Sequence, residues 1–332
     1  MTPMLELREV SRRFERKPDV IERFAGVLGA KVSSQTVHAV DRVSFEVRRG
    51  EVVGLVGESG CGKSTLGRMI AGLLPPSAGE IRFQGQSSTN LDAAARRRQR
   101  LRLQMIFQDP MSSLNPRMKV QEIIGEAALY HRLTTPAEMP GYVARLLDQV
   151  SLDPAYASRY PHQFSGGQRQ RICIARALAV QPEFLVCDES VAALDVSIQA
   201  QVINLFQQLR RDLQLTYLFI SHDLGVVQHL ADRVVVMYLG RVVESAPTQT
   251  LFAQPQHPYT QALLDQVPRL HGGRQAFRPI QGEIASALNP PPGCHFHTRC
   301  PKAGPRCRRE APEPVTEGLH TVACHLHRGG VA

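Results

Sequence analysis

The feature that most constrains this chain is a glycine-rich loop between an apolar strand and a helix. The loop, Gly57–Ser64, fits the pattern G-x-x-x-x-G-K-[ST]. The run Glu51–Val56 before it predicts a buried strand, and Leu66–Ala71 after it predicts a helix. A strand, a turn of this kind and a helix need a sheet to carry them, so the sequence predicts an α/β fold.

The residue types of this loop suit the binding of phosphate. Its glycines let backbone N–H groups close around phosphate oxygens, and the helix N-terminus adds a positive dipole. Lys63 is expected to reach the β- and γ-phosphates, and Ser64 to ligate Mg²⁺. The expected ATP contacts are Gly57, Ser59, Gly60, Cys61, Gly62, Lys63, Ser64 and Thr65. An ordinary glycine-rich turn is the alternative. A helix N-terminus lowers a thiol pKa, so alkylation of Cys61 is expected to block ATP binding. A small residue with no redox role is the alternative.

Further strand-like runs predict a parallel sheet covered by helices on both faces. They are Phe184–Cys187, Thr216–Ile220 and Val234–Met237, and a helical pattern at Ile198–Leu213 lies between the first two.

The remaining segments predict how the chain divides. Met4–Val10 and Val37–Val47 predict strands, and Glu15–Thr36 between them predicts a loop insertion with no physical explanation. The segment from about 91 to 180 predicts a helical subdomain inserted into the sheet domain. Prolines recur after Ser245, so we predict a nucleotide domain at 1–248 and a loop-rich extension at 249–332.

Two adjacent carboxylates end the apolar strand at Phe184–Cys187. Strand ends buried in a sheet seldom carry adjacent acids. Asp188 is expected to hold Mg²⁺, directly or through water, and Glu189 to orient and deprotonate an attacking water. A polar strand end opening into a loop is the alternative.

A second anion site is predicted where a serine and two glycines precede the helical run Arg169–Val180. Ser165 is a natural N-cap, and Gly166 and Gly167 expose N–H groups, with Gln168 following. The chain already has one phosphate loop. A second anion site therefore needs another nucleotide, and we expect it to bind the nucleotide of a neighbouring subunit. The sequence therefore predicts two ATPase subunits that enclose ATP between them, with a plain serine-capped helix as the alternative.

Taken together, these motifs resemble the nucleotide-binding subunit of ABC transporters over residues 1 to about 248. Gly57–Ser64 resembles Walker A, Phe164–Gln168 resembles the LSGGQ signature, and Asp188 and Glu189 resemble the end of Walker B. The resemblance implies a P-loop NTPase, RecA-like core with an N-terminal antiparallel β subdomain and the inserted helical subdomain.

The same resemblance implies roles for four further residues. Gln108 would sense Mg²⁺ and the membrane partner, Asp195 would lie at the subunit interface, and His222 would contact the γ-phosphate. Phe14 would stack on adenine, with Phe24 as the alternative. The chain departs from the usual pattern at Ser190 and Ala192, where the family commonly has Pro and Ser.

Four cysteines crowd the extension: Cys294, Cys300, Cys307 and Cys324. Four thiolates suit a tetrahedral zinc site or an iron–sulfur cluster. The lack of a C-x₂-C pair weakens the zinc interpretation, but nearby histidines could also ligate zinc. Free thiols are the alternative. The runs His257–Leu264, Asn289–Cys294 and Leu194–Val202 resemble oligopeptide and dipeptide importer ATPases, which implies a structural [4Fe–4S] cluster first and zinc second.

The function implied is ATP hydrolysis that energises peptide import. Nickel, glutathione or another small solute is the alternative cargo, and a soluble ABC ATPase without a transporter is the alternative class. The implied partners are a second, paralogous ATPase subunit, two transmembrane permease subunits and an extracytoplasmic substrate-binding protein. The proline-rich stretch Asp109–Val120 is the expected docking surface for the permeases.

Charge and hydropathy limit the other partners. The net charge is +9, but the basic run Arg96–Arg102 lacks the interleaved aromatic residues of a stacking platform, so we expect a solvated helix face and no nucleic-acid partner. No stretch approaches the roughly 18–20 apolar residues that span a bilayer. We therefore expect a peripheral protein at the cytoplasmic face of the cell membrane.

Overall fold

The computed structural model describes residues 2–15, 36–88, 91–192, 194–266, 282–283 and 285–327. The strands are β1 (Leu5–Glu15), β2 (Thr36–Val47), β3 (Val52–Val56), β4 (Ala78–Phe83), β5 (Gln86–Ser87), β6 (Leu103–Ile106), β7 (Phe184–Asp188), β8 (Thr216–Ser221), β9 (Arg233–Tyr238), β10 (Arg241–Pro247), β11 (Val315–Glu317) and β12 (His320–Val322).

The α-helices are α1 (Lys63–Ile70), α2 (Ala93–Arg102), α3 (Pro110–Ser113), α4 (Val120–Tyr130), α5 (Met139–Gln149), α6 (Gly166–Leu178), α7 (Val196–Leu213), α8 (Leu224–Leu230), α9 (Thr248–Ala253), α10 (Pro258–Leu264) and α11 (Pro305–Arg309). Short 3-10 turns occupy Pro154–Ser158, Pro161–Gln163 and His325–His327.

Two sheets carry the fold. The core sheet has the order β11-β12-β10-β9-β3-β8-β7-β6, and the five strands from β9 to β6 run parallel. The second sheet, with the order β2-β1-β4-β5, is antiparallel throughout. The expected parallel core and N-terminal antiparallel sheet are therefore both present.

Strand β3 is buried on both faces, which explains its unbroken apolar sequence. Val53 and Leu55 pack with α1 and the antiparallel sheet, whereas Val52 and Val56 pack in the cluster formed by the helices on the other face. The phosphate loop is thus mounted on a strand that is fixed from both sides.

The segment from 91 to 180 is not helical throughout. Helix α2 has no buried residues, which fits a solvated basic face, although Arg102 at its end pairs with Glu183 at 2.5 Å. Strand β6 then pairs in parallel with β7 and is the outermost strand of the core sheet. Four consecutive residues with little polarity, Leu103–Ile106, were too short a run to separate from a helix by periodicity.

The extension joins the core sheet instead of standing apart from it. Its hairpin, β11 and β12, pairs with β10 through Glu244 and Ser245. Glu244 is fully buried, and its carboxylate accepts N–H bonds from Gln256 at 2.7 Å, His257 at 2.9 Å and the His320 ring at 2.7 Å. The division at residue 248 stays a prediction, and it coincides with the first residue of α9.

Two other predictions concern the insertion after β1 and the absence of a membrane-spanning segment. Most of the insertion predicted at Glu15–Thr36, including the alternative adenine contact Phe24, lies outside the described residues. Within the described ranges, no helix has the length and apolar character needed to cross a membrane.

Candidate functional site

The phosphate loop folds as a tight turn at the carboxyl end of β3. Gly57 and Gly62 have φ values of 154° and 105°. A Cβ atom at Gly57 would lie 2.2 Å from the Met237 carbonyl oxygen, and one at Gly62 would lie 2.1 Å from that of Ala39. Glycine is required at both positions because of the backbone conformation and the close approach of neighbouring strands.

Lys63 lies within the loop that it helps to close. Its side chain is buried, and Nζ donates hydrogen bonds to the carbonyl oxygens of Gly57 at 2.8 Å and Glu58 at 3.0 Å. These bonds hold the ammonium group inside the turn, at the N-terminus of α1, where it adds to the positive potential for phosphate oxygens.

The pKa of Cys61 is raised, and not lowered as a helix N-terminus alone would make it. The thiol is 5% exposed, and burial raises its pKa despite the charge of Lys63. Because the thiolate is the nucleophile, a buried, protonated Cys61 is a small packing residue of the loop.

Ser64 and Asp188 meet across the loop and the adjacent strand. The Ser64 hydroxyl donates to Asp188 Oδ1 at 2.8 Å, although 124 residues separate the two in sequence. Burial raises the pKa of Asp188, and the nearby charge of Glu189 adds to the effect, while the Ser64 hydrogen bond opposes it. A buried carboxylate beside a hydroxyl oxygen offers the hard oxygen ligands that Mg²⁺ prefers.

Glu189 contacts two other predicted site residues, Gln108 and His222. Its Oε2 atom accepts a hydrogen bond from Gln108 Nε2 at 2.8 Å and lies 3.3 Å from His222 Nδ1. The three residues follow β6, β7 and β8, whose parallel carboxyl ends form one edge of the sheet. Open α/β sheets bind ligands at this edge.

The predicted signature segment caps its helix as expected. Gln168 N–H donates to the Ser165 hydroxyl at 3.4 Å, and Ser165 N–H donates to Gln168 Oε1 at 3.0 Å, which is a capping box. Ser165 and Gly166 are exposed, whereas a Cβ at Gly167 would lie 2.3 Å from Ile198 Cγ2. None of the hydrogen bonds found within the described ranges joins this segment to the phosphate loop.

Asp195 and Phe14 are placed on the surface. Asp195 is exposed at the start of α7, beside Val196, which is 82% exposed. Phe14 is 38% exposed, carries the Arg12 guanidinium 4.7 Å above its ring, and pairs with Val37 in β2. The same strand continues to Ala39 at the phosphate loop, so Phe14 lies on the side of the loop where β2 approaches it.

The two departures from the family pattern lie in the turn after β7. Ser190 is buried and its hydroxyl oxygen has no partner among the described residues, whereas Ala192 is exposed and its N–H donates to the Glu189 carbonyl oxygen at 3.1 Å.

The four cysteines of the extension line one small pocket, and all four are free thiols. Burial raises the pKa of Cys294 to about 11 and also raises the pKa values of Cys300 and Cys324. Four imidazoles nearby each form a hydrogen bond with a backbone carbonyl oxygen. They belong to His295, His297, His325 and His327. Over the described ranges, no group of three or more His, Cys, Asp or Glu side chains has the arrangement of a metal site.

The sequence did not predict that the extension would contact the phosphate loop. Arg299 donates two hydrogen bonds to the Glu58 carboxylate, at 2.6 and 2.9 Å, from 241 residues away. The Tyr259 hydroxyl accepts the Glu58 N–H at 2.8 Å. Spacing gives no signal for pairs that lie so far apart in the sequence.

Comparison with known proteins agrees with these features. A family profile described as "ABC transporter" matches residues 40–192, and one described as "Oligopeptide/dipeptide transporter, C-terminal region" matches residues 243–307. The oligopeptide transport ATP-binding protein AppF of Bacillus subtilis is 50% identical over 329 residues, covering 98% of this chain and 97% of AppF.

Two solved structures share the fold. CbiO1 of Clostridium perfringens, described as part of the ABC transporter complex cbiONQ, matches with a TM-score of 0.63 at 25% identity, over 76% of this chain and 92% of CbiO1. The ATP-binding cassette MJ0796, a dimer bound to ADP and Pi in a post-hydrolysis state, matches with a TM-score of 0.62 at 25% identity, over 74% of this chain and 99% of that one.

Proposed function

This chain belongs to the family of ABC transporter ATP-binding proteins, and we propose that it is the ATP-hydrolysing motor of a peptide importer. The observation that carries the proposal is the convergence of Gln108, Glu189 and His222 beside the Ser64–Asp188 pair. These groups lie next to a loop whose backbone is shaped for phosphate, which is the arrangement that ATP hydrolysis needs.

The proposed reaction transfers the γ-phosphoryl group of ATP to water. Glu189 orients the water and accepts its proton, while the water oxygen bonds to the γ-phosphorus and the bond to the β–γ bridging oxygen breaks. Lys63 and His222 contact the γ-phosphate and offset its negative charge, and ADP and phosphate leave. Ser64 and Asp188, with Gln108 nearby, would hold Mg²⁺, which supplies charge neutralisation of the phosphates when bound.

A second ATPase subunit completes the site in this proposal. Ser165, Gly166 and Gln168 are reached from outside the chain, and the exposed Asp195 and Val196 lie near the same surface. The signature helix of each subunit would therefore contact the ATP held by the phosphate loop of the other. Closure around ATP then moves the attached membrane subunits.

The cargo and the remaining partners are proposed from the relatives. AppF is named for oligopeptide transport, and the matched C-terminal region is described for oligopeptide and dipeptide transporters. We assign two permease subunits, docked at Asp109–Val120 on the cytoplasmic face of the membrane, an external substrate-binding protein and a paralogous ATPase partner. Nickel, glutathione or another small solute remains the alternative cargo.

The test is affinity purification of this chain from membranes, followed by identification of its partners and assay of the purified complex. We expect two integral membrane subunits and an ATPase activity that peptides raise in the presence of the binding protein. A chain recovered alone, or with ribosomes or nucleic acid, would contradict the transport function. If a nickel chelate raised the ATPase activity and peptides did not, the motor function would stand and the peptide cargo would be rejected.

We also propose that Cys294, Cys300, Cys307 and Cys324 hold a [4Fe–4S] cluster, with zinc as the alternative. The support is that all four thiols line one pocket without disulfides. The group would cross-link a loop-rich region, since ATP hydrolysis needs no electrons. Oxygen-free purification should give a brown protein with iron and sulfide, and a colourless, iron-free preparation would reject the cluster.

A further inference from the structure

Glu58, the second residue of the phosphate loop, is held by protein groups on three sides. Its carboxylate accepts both arms of the Arg299 guanidinium, its N–H donates to the Tyr259 hydroxyl, and its carbonyl oxygen accepts from Lys63 Nζ. Glu58 therefore has its polar groups turned to the protein and not to a nucleotide. It thereby fixes the path of the loop that leads into the N-terminus of α1.

Two of these three contacts come from beyond residue 248. Arg299 has a side-chain exposure of 4%, and Tyr259 is fully buried. A bidentate arginine–carboxylate pair fixes both the position and the orientation of the carboxylate, which a single ammonium contact does not. The pair is also shielded from water, so leaving either charge without its partner is unfavourable.

The part of the extension that presents Arg299 is itself rigidly packed. Phe296 is 1% exposed, and its ring lies 5.2 Å from that of Tyr238 and 5.3 Å from that of Tyr259. The Arg299 N–H donates to the Phe296 carbonyl oxygen at 3.0 Å, which forms a turn. The guanidinium is therefore delivered from an aromatic cluster that also contains the last residue of β9.

We propose that Arg299 is a positioning residue for the phosphate loop, so that the C-terminal extension forms part of the ATP-binding site. The inference rests on the ATP site proposed above and adds to it a region outside the ATPase motifs. Loss of the Arg299–Glu58 pair should let the loop depart from the conformation that binds phosphate. The cost should appear as weaker ATP binding more than as slower chemistry, because Glu189 and His222 are untouched.

The experiment measures the Kd of the full chain for ATP with Mg²⁺, by calorimetry under conditions that prevent hydrolysis. We expect Arg299→Met to weaken binding about tenfold or more, a loss of about 1.4 kcal/mol per factor of ten. Arg306→Met is the matched control. Arg306 also directly precedes a cysteine, but it pairs with the exposed Glu310, so its loss should leave the Kd within about twofold.

A second variant covers the case in which Arg299→Met does not fold. Glu58→Gln keeps the size and shape of the side chain but removes the negative charge that pairs with the Arg299 guanidinium. This variant should also weaken ATP binding. The double variant Glu58→Gln/Arg299→Met should bind ATP at least as tightly as the single variant with the lower affinity. The reason is that the double variant buries no charge without its partner. Arg299→Lys should restore part of the affinity.

In the purified transporter, the same loss should raise KM for ATP while kcat at saturating ATP changes little. Wild-type Kd values in folded Arg299→Met or Glu58→Gln protein, with only the melting temperature lowered, would overturn the inference. Failure of the wild-type chain to bind ATP at all would instead overturn the proposed function. Loss of binding in Lys63→Ala, used alongside, verifies that the assay reports on the phosphate loop.

Discussion

Glu189, the proposed catalytic base, has a strained backbone. Its φ is 45°, a region that non-glycine residues rarely adopt, and its N–H is held by the Ile220 carbonyl oxygen at 3.0 Å. The turn after β7 thereby directs the carboxylate towards Gln108 and His222. A residue held in this way is suited to aim a water molecule.

The first prediction replaces this carboxylate by its amide. Glu189→Gln should leave ATP binding unchanged, because the phosphate contacts are intact, and should slow hydrolysis by roughly 10²–10⁴-fold through loss of the base. ATP should then trap a closed complex, visible as a larger species in size-exclusion chromatography. Unchanged steady-state hydrolysis would contradict the role assigned to Glu189.

A second prediction follows from the buried Asp188. Its folded-state pKa is raised by burial, so the ionised form destabilises the nucleotide-free fold at every pH above that pKa, and stability rises as pH falls through it. Asp188→Asn removes this penalty and should raise the Tm of the nucleotide-free protein by roughly 2 °C at pH 7, while hydrolysis is lost.

Asp41 provides the control with the opposite sign. Burial alone would raise the pKa of Asp41, but the hydrogen bond and charge of Arg241, at 2.7 Å, lower it overall. This carboxylate therefore adds stability above its unfolded pKa, and the gain is lost as pH falls through the folded pKa. Asp41→Asn should lower the Tm at pH 7, and equal shifts for the two variants would refute the argument.

At this scale, short motifs could be predicted, but a long-range contact could be predicted only where the sheet topology brings two motifs together. Ser64 and Asp188 were each assigned from local patterns, and the parallel sheet made their meeting at 2.8 Å foreseeable. Arg299 offered no such pattern, because its partner is fixed by tertiary packing alone. The direction of the pKa shift at Cys61 was predicted wrongly, because a helix N-terminus is visible in the sequence whereas burial of a thiol is not.

Among the elements, the predictions were best where apolar runs are long and bounded by turns. Strands β7, β8 and β9 and helix α7 were predicted within about two residues. Strand β6 and the hairpin of β11 and β12 were missed because they have only three or four residues each. Short strands owe their structure to pairing partners that local sequence does not reveal.

Strand β3 yields a prediction at the level of elements. A Cβ at Gly54 would lie 2.4 Å from Val227 Cγ1 and 3.2 Å from Ala231 Cβ, so Gly54→Ala should push α8 off the sheet and destabilise the protein by about 1–3 kcal/mol. Gly141→Ala in α5 is the matched control, since the nearest atom lies 3.9 Å away. That variant should gain about 0.5–1 kcal/mol from helix propensity.

Chemical denaturation, followed by circular dichroism, measures both glycine variants. The argument requires opposite signs for the two, because the side chain added is the same. A Gly54→Ala protein as stable as the wild type would mean that α8 adjusts at no cost.

At the scale of the whole molecule, the proposed function assigns part of the ATP site to a second subunit. Gly166→Glu should leave ATP binding by the isolated chain unchanged, since its Cβ would lie 3.7 Å from Leu194 Cδ2, an ordinary contact. In the assembled transporter the added carboxylate would face the phosphates held by the partner, so hydrolysis should fall at least about tenfold.

Lys63→Ala is the contrasting variant, because it should abolish ATP binding in the isolated chain as well. Calorimetry on the chain and phosphate release by the complex separate the two behaviours. Reduced ATP affinity of isolated Gly166→Glu, or normal hydrolysis by its complex, would place the signature segment within the chain's own site.

The buried Glu244 also has a meaning for how such subunits change over generations. Its carboxylate lies in β10, yet three of its donors come from Gln256, His257 and His320. A recombinant gene that joins the first 248 residues of one paralogue to the tail of another inherits the acid from one parent and its donors from the other. Descent should therefore keep both segments together, and surviving hybrids should be those whose parents share all four positions.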